Sequence, residues 1–251
     1  MSRGHRRIAI ATVMSASLLT GLAVADTTVA TTPEDTIVET SVAAATTPEE
    51  ASVEVLAPDE SLAGVSRAEW TARAWQWWLS LPTDVNPSET NQGCGYGQAG
   101  PVYFLPFSAD NIHCVVAEGT AIYVTAEYAW CSTVEPAPAF GRNEEELQAC
   151  ASLDNTGITS HVTINGHDVG DTGQYRLATA AFPITLSEGN LNLAQPGVAL
   201  AVAETSNFII APPPPGDYEI VASLSSPDGS AVFTYTISVE APQVLEAPPT
   251  T

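Results

Sequence analysis

The chain of 251 residues contains no lysine at all, and its seven arginines face 29 acidic residues, a formal charge of −22. So acidic a protein repels phosphate backbones and anionic lipid, which excludes nucleic-acid binding and polybasic attachment to membranes. Other signatures are missing too. There is no Gly-x-Ser-x-Gly elbow, no His-Glu-x-x-His helix, no P-loop and no Cys-x-x-Cys pair, so the common hydrolase, phosphate and zinc motifs are absent and no residue is assigned a catalytic role. Paired carboxylates for polysaccharide hydrolysis can be drawn from so many acids that abundance makes any one pair uninformative. Beyond the first 25 residues no apolar run is long enough to span a bilayer.

What is present begins with a compartment. Arg3, Arg6 and Arg7 precede an apolar stretch from Ile8 to Val24 that closes on Ala23-Val24-Ala25. This is the pattern of a secretory signal cleaved after Ala25, by a Sec or a twin-arginine route, and it predicts a secreted or cell-surface protein. The processed chain keeps 4 basic and 29 acidic residues, a formal −25. From Asp26 to about Glu60 follow Thr, Ala, Val, Pro and Glu with no basic or aromatic residue, and TTPED at Thr31 returns as TTPEE at Thr46. Such a segment buries too little apolar area to offset chain entropy, which predicts a disordered stalk, with a like tail from Ala241 to Thr251.

Residues 61–240 then form a single domain. Ser66 and Glu69 read as a capping box, and Pro82 as the stop, of a helix in SRAEWTARAWQWWLSLP. Trp70, Ala74, Trp77, Trp78 and Leu81 fall on one stripe, a docking seam or a face for stacking on sugars. Short apolar or alternating runs follow at Pro101–Phe107, Thr120–Trp130, Ile158–Ile164, Gln174–Phe182, Val198–Ala203, Asp217–Leu224 and Ala231–Val239, with hairpin chemistry at Asn165-Gly166 and Pro227-Asp228-Gly229. Asn143 caps a second, short helix from Glu144 to Ser152. The fold expected is mainly β: an antiparallel β-sandwich, immunoglobulin-like or jelly-roll-like, carrying two helices.

Four cysteines in an exported chain are expected as disulfides. Cys94 with Cys114 and Cys131 with Cys150 each close a loop of about twenty residues, worth on the order of 3 kcal/mol. In this arrangement the glycines of GCGYGQAG accommodate a staple and a tight turn rather than a phosphate. Trp75, about 100° around the helix from the midpoint of Trp70 and Trp78, is expected to stay exposed, as is Tyr96 in the pinned loop; the pair forms a candidate ligand-binding surface. Asp154, Asn155, Asp168 and Asp171 are the candidate oxygen ligands for a calcium ion, the only cofactor suggested, and His161 and His167 lie across the predicted hairpin.

The order WTARAWQWWLSLP, Asn86-Pro87, GCGYGQAGPVYFL and HCVVAEGTAIYV resembles a family of exported bacterial proteins of unknown function. Those proteins carry a Trp-rich helix, a cysteine, a Gln-x-Gly-x-Val-aromatic-Phe-Leu strand and a second cysteine. The resemblance covers Ala68 to Val124, with a fainter match around Asn165 to Tyr175, and implies no activity; where the family often has a basic residue before the second cysteine, this chain has His113. Two functions are consistent with these residues. One is a non-enzymatic domain binding extracellular carbohydrate or an envelope component; the other is an extracellular hydrolase acting on polysaccharide by acid or metal chemistry.

Overall fold

The computed structural model describes residues 53–90, 93–107, 111–154, 156–227 and 229–241, with the side chains of Leu153 and Asp154 left out. The expected signal peptide, most of the stalk, Asn155 and all but the first residue of the tail lie outside the described residues. The predicted stalk, however, reaches to Glu60, whereas the domain begins at least seven residues earlier. Val55 bridges Ile210, Leu56 donates its amide to the Ile209 carbonyl, and Leu56 is buried.

Helix α1 (Arg67–Ser80) starts where the capping box places it, with Ser66 Oγ accepting the Glu69 amide at 3.2 Å, and ends at Leu81 before Pro82. A single turn, α2 (Pro87–Thr90), follows, and then β1 (Val102–Phe104), β2 (Ile112–Ala117) and β3 (Ala121–Ser132). Helix α3 (Glu144–Asp154) is capped by Asn143, whose Oδ1 accepts the Glu146 amide. The chain closes with β4 (Thr159–Ile164), β5 (His167–Asp168), a 3₁₀ turn (Thr172–Tyr175), β6 (Arg176–Ala178), β7 (Phe182–Leu186), β8 (Gly197–Ile210), β9 (Gly216–Ser226) and β10 (Gly229–Glu240). Asn165 at φ 50° and Gly166 at φ 78° form the left-handed pair that a two-residue β4–β5 turn requires.

The architecture is mainly β, in two five-stranded sheets. The first runs β1-β3-β8, with β6 and β7 both pairing along the outer side of β8; the second runs β2-β10-β9-β4-β5. The purely antiparallel arrangement expected from the sequence needs correcting, because β1 is parallel to β3 and β2 to β10. The chain leaves the first sheet after β1, passes through β2 in the second and returns as β3. A strand reached through such a crossover can run in its first partner's direction, which a hairpin cannot give.

Between the sheets lies the largest core, with Ile122, Val124 and Phe208 facing Cys114, Val116, Val162, Ile220 and Ile237. Helix α1 covers the opposite face of the first sheet. Trp70, Ala74 and Trp77 pack on Phe104, Tyr123 and Ile209, while Trp75 and Leu79 pack with Phe182, Ile184 and Ala201. Covered on both sides, β3 is buried almost throughout, unlike β2, which alternates strictly. Helix α3 sits over Cys131 and Val202 at one end. Among the described residues no helix is long and apolar enough to cross a membrane.

Both disulfides pair as expected, Cys94 with Cys114 and Cys131 with Cys150, at Cα separations of 5.5 and 6.1 Å.

Candidate ligand-binding surface

Strand β3 changes face in mid-course. Thr125 pairs with Asn207 and Glu127 with Ser206, so Ala126 is an extra residue with no partner in β8, a β-bulge. Before it, Tyr123 points toward α1. After it the parity inverts, and Tyr128 and Trp130 reach the α1 side while Glu127, Ala129 and Cys131 point the other way. One inserted alanine thus delivers two aromatic rings to the same side as the tryptophan helix.

These rings close around Trp75. Its centroid lies 5.3 Å from Trp130, 5.6 Å from Tyr128, 4.8 Å from Phe107 and 5.2 Å from Trp78, the contacts with Tyr128 and Trp78 being edge-to-face. Phe107 also meets Trp78 at 4.6 Å and Tyr128 at 5.0 Å. Trp75 is 0% exposed, whereas Trp78, Phe107, Tyr128 and Trp130 all remain partly exposed. The Trp78 indole donates to Ser88 Oγ at 2.8 Å, so α2 fixes that ring. Burial pushes the Tyr128 hydroxyl up to about 12, which keeps it neutral. A pre-packed aromatic surface of this kind can bind the apolar face of a ligand with little loss of rotamer freedom.

Sequence reasoning placed Trp75 on this surface, and that is corrected: Trp75 is the centre of the cluster and its neighbours are the surface. The helix is sunk onto a sheet wider than a single stripe, so two stripes of α1 are buried and Trp75 falls in the second. Trp78, expected in the seam, is the helix's partly exposed ring. Phe107, Tyr128 and Trp130 were missed as site residues, the last two because an alanine bulge in β3 leaves no glycine or proline mark in the sequence.

Tyr96 is 53% exposed, as expected, in the loop that Cys94 pins, and no ring contact joins it to the cluster. Its carbonyl accepts the Trp77 indole proton at 2.8 Å. A Cβ at Gly95 would meet Tyr103 Oη at 3.3 Å, and one at Gly97 would meet Leu81 at 3.4 Å. Gly95 and Gly97 thus lie against side chains of their own domain, while the loop's outer side is exposed.

The calcium candidates do not converge. Asp168 accepts from the Gly170 amide at 2.7 Å and pairs with His161 at 3.2 Å, and these partners hold its carboxyl below the usual range. Asp171 caps the 3₁₀ turn through the Gly173 amide. The side chain of Asp154 and all of Asn155 lie outside the described residues, among which no group of three or more metal-ligating side chains occurs.

Three polar clusters escaped the sequence reading. Glu127, only 3% exposed, accepts from Arg176 at 2.7 Å and Ser206 at 3.0 Å, with Glu204 at 3.8 Å from the same guanidinium. On the outer face of the second sheet His113 Nε2 lies 2.9 Å from Ser238 Oγ, whose proton goes to Asp217 at 2.7 Å. In a nucleophilic triad the carboxylate orients the histidine and the histidine takes the serine proton; here the carboxylate takes it, and the order is wrong for that chemistry. Finally, an open hollow of about 240 Å³ lies between Pro58–Ser61 and the start of α1, with Arg67 and Leu177 on its wall and neither an aromatic nor a histidine lining it.

No family model matches the chain, and no curated relative matches it. Among solved structures, one described as the solution structure of amebosin shares 13% identity over 57% of this chain and 100% of its own, with a TM-score of 0.20. A family 123 glycoside hydrolase from Clostridium perfringens, described in connection with glycolipid glycan hydrolysis, shares 13% identity and the same TM-score of 0.20. That likeness covers 54% of this chain and 24% of the enzyme. Similarity this low supports neither a fold nor a function.

Proposed function

We propose that this chain is an exported, non-enzymatic β-sandwich domain that binds extracellular carbohydrate through the surface formed by Trp78, Phe107, Tyr128 and Trp130. The single observation behind this reading is the packing of four partly exposed rings around a fully buried fifth. The C–H face of a pyranose carries a slight positive polarity that complements the negative face of an aromatic ring, and rings locked by their neighbours lose little entropy when a sugar stacks on them. Export is supported by the leader at residues 1–25 and by two disulfides. The resemblance to exported bacterial proteins of unknown function fits the same compartment.

A hydrolase would need an acid and a base free to face a ligand, and the most buried carboxylate among the described residues, Glu127, is committed to Arg176 and Ser206. Glycan-array screening of the processed chain tests the proposal, with Trp130→Ala and Trp78→Ala as controls. Binding that both substitutions abolish supports it. Self-association of the wild type that the same substitutions abolish, with no glycan bound, would make the surface a protein interface instead.

A further inference from the structure

We infer that the glycan taken by this surface is an uncharged polysaccharide, and that uronate-, sulfate- or phosphate-bearing chains are rejected electrostatically; this rests on the carbohydrate reading above. Recognition of an anionic sugar needs a cationic side chain with donors to spare, desolvated against the acid group. The chain has no lysine, and beyond the leader only four arginines. Each has its nearest partners elsewhere in the domain. Arg73 pairs with Glu69 at 2.5 Å and stacks on Trp70 at 4.6 Å. Arg142 is held by Glu146 at 2.7 Å, and Arg176 by Glu127 at 2.7 Å.

Among the described residues no carboxylate pairs with Arg67; its Nε donates to the Pro58 carbonyl at 3.1 Å and its Nη1 to those of Tyr175 at 2.5 Å and Asn207 at 2.6 Å, at the opposite end of α1 from Trp78. Its guanidinium also lies over the Tyr175 ring at 5.4 Å, so it closes the N-terminal segment onto the domain. The histidines cannot substitute, since His113 on β2, His161 on β4 and His167 on β5 all belong to the second sheet, while the aromatic surface belongs to the first. An anionic ligand would therefore meet unmatched aromatic rings inside the field of 29 carboxylates. A neutral pyranose chain loses nothing by this arrangement, because stacking and hydroxyl hydrogen bonds need no cation.

Affinity electrophoresis of the processed full chain through matched polymers reads this directly. The neutral probes are hydroxyethylcellulose, unsubstituted xylan and glucomannan; their charged counterparts are carboxymethylcellulose, glucuronoxylan and carboxymethylglucomannan. In ~10 mM salt, where fields reach ~30 Å, the charged form of any retained polymer is expected to bind at least about tenfold more weakly. In ~1 M salt, where they reach ~3 Å, equilibrium pull-down should show the gap closing, which separates charge repulsion from a steric effect of the added group. Equal or tighter binding of the charged form at low salt overturns the inference and leaves the carbohydrate reading standing. Retention of none of the neutral polymers overturns both.

Discussion

Trp75 and Trp78 touch edge-to-face, centroids 5.2 Å apart and planes at 74°, and this contact divides their roles: one ring is wholly buried and the other is partly in solvent. Replacing Trp75 by Ala should remove the centre of the cluster and cost roughly 3 to 5 kcal/mol in denaturant unfolding. Trp75→Phe should cost distinctly less, because the buried Trp75 Nε1 has no hydrogen-bond partner among the described residues and its loss forfeits nothing. Trp78→Ala should cost less than Trp75→Ala and still weaken ligand binding, since its ring lies at the surface. Equal destabilisation by the two alanine substitutions would contradict this division.

The helix illustrates what was legible in the sequence. Its cap, its stop and one of its two buried stripes could be read from Ser66, Glu69, Pro82 and the 3.6-residue period. How wide a sheet the helix lies on is a tertiary fact, and that width is what buries Trp75. Strand β2 was passed over because its alternating IHCVVA was absorbed into the cysteine loop. The second half of β8, ETSNFII, was missed for another reason: Thr205, Ser206 and Asn207 are buried, with Ser206 donating to Glu127 and the Asn207 amide nitrogen to Thr71, which hydropathy cannot foresee.

The bulge at Ala126 also decides the fate of Glu127. Turned toward the core, its carboxylate accepts from Arg176 and Ser206. Glu127→Ala should leave the exposed Arg176 without its closest carboxylate and Ser206 without its acceptor, and cost about 1 to 3 kcal/mol in chemical denaturation. The double variant Glu127→Leu with Arg176→Met should recover most of that loss, because an apolar pair of similar volume avoids the desolvation of two ions. Additive losses in the double variant would show that the ion pair does not act as a unit.

Helix α3 is tied to β3 by Cys131–Cys150 and packs Leu147 and Ala151 over Val202. Replacing both cysteines by Ala should lower stability by about 3 kcal/mol through the closed loop alone. Hydrogen exchange should quicken first in α3, while β9 and β10 keep their protection. Uniform loss of protection across the domain would argue that the bond supports the whole fold.

Alkaline stability follows from the buried phenols. Burial raises Tyr123 and Tyr128 to about 12 and Tyr103 still further, against an ordinary value near 10. A pKa raised by folding contributes stability that is complete below the unfolded value and is lost as pH rises through the folded one. The domain should therefore hold steady to about pH 10 and weaken between about 10 and 12, by on the order of 3 kcal/mol for the fully buried Tyr123 and by less for the partly exposed Tyr128. Phenolate absorbance should rise late and together with the loss of near-ultraviolet circular dichroism. Full titration of every tyrosine near pH 10 with the fold intact would contradict the burial.

The central claim is that Trp78 and Trp130 bind sugar rather than complete the core. The decisive measurement is calorimetric titration of the processed chain and of the Trp78→Ala/Trp130→Ala double variant with the best glycan from the array, after circular dichroism has shown both folded. The account predicts binding by the wild type and a loss of at least about tenfold, roughly 1.4 kcal/mol, in the variant. Unchanged affinity in a folded double variant would contradict it.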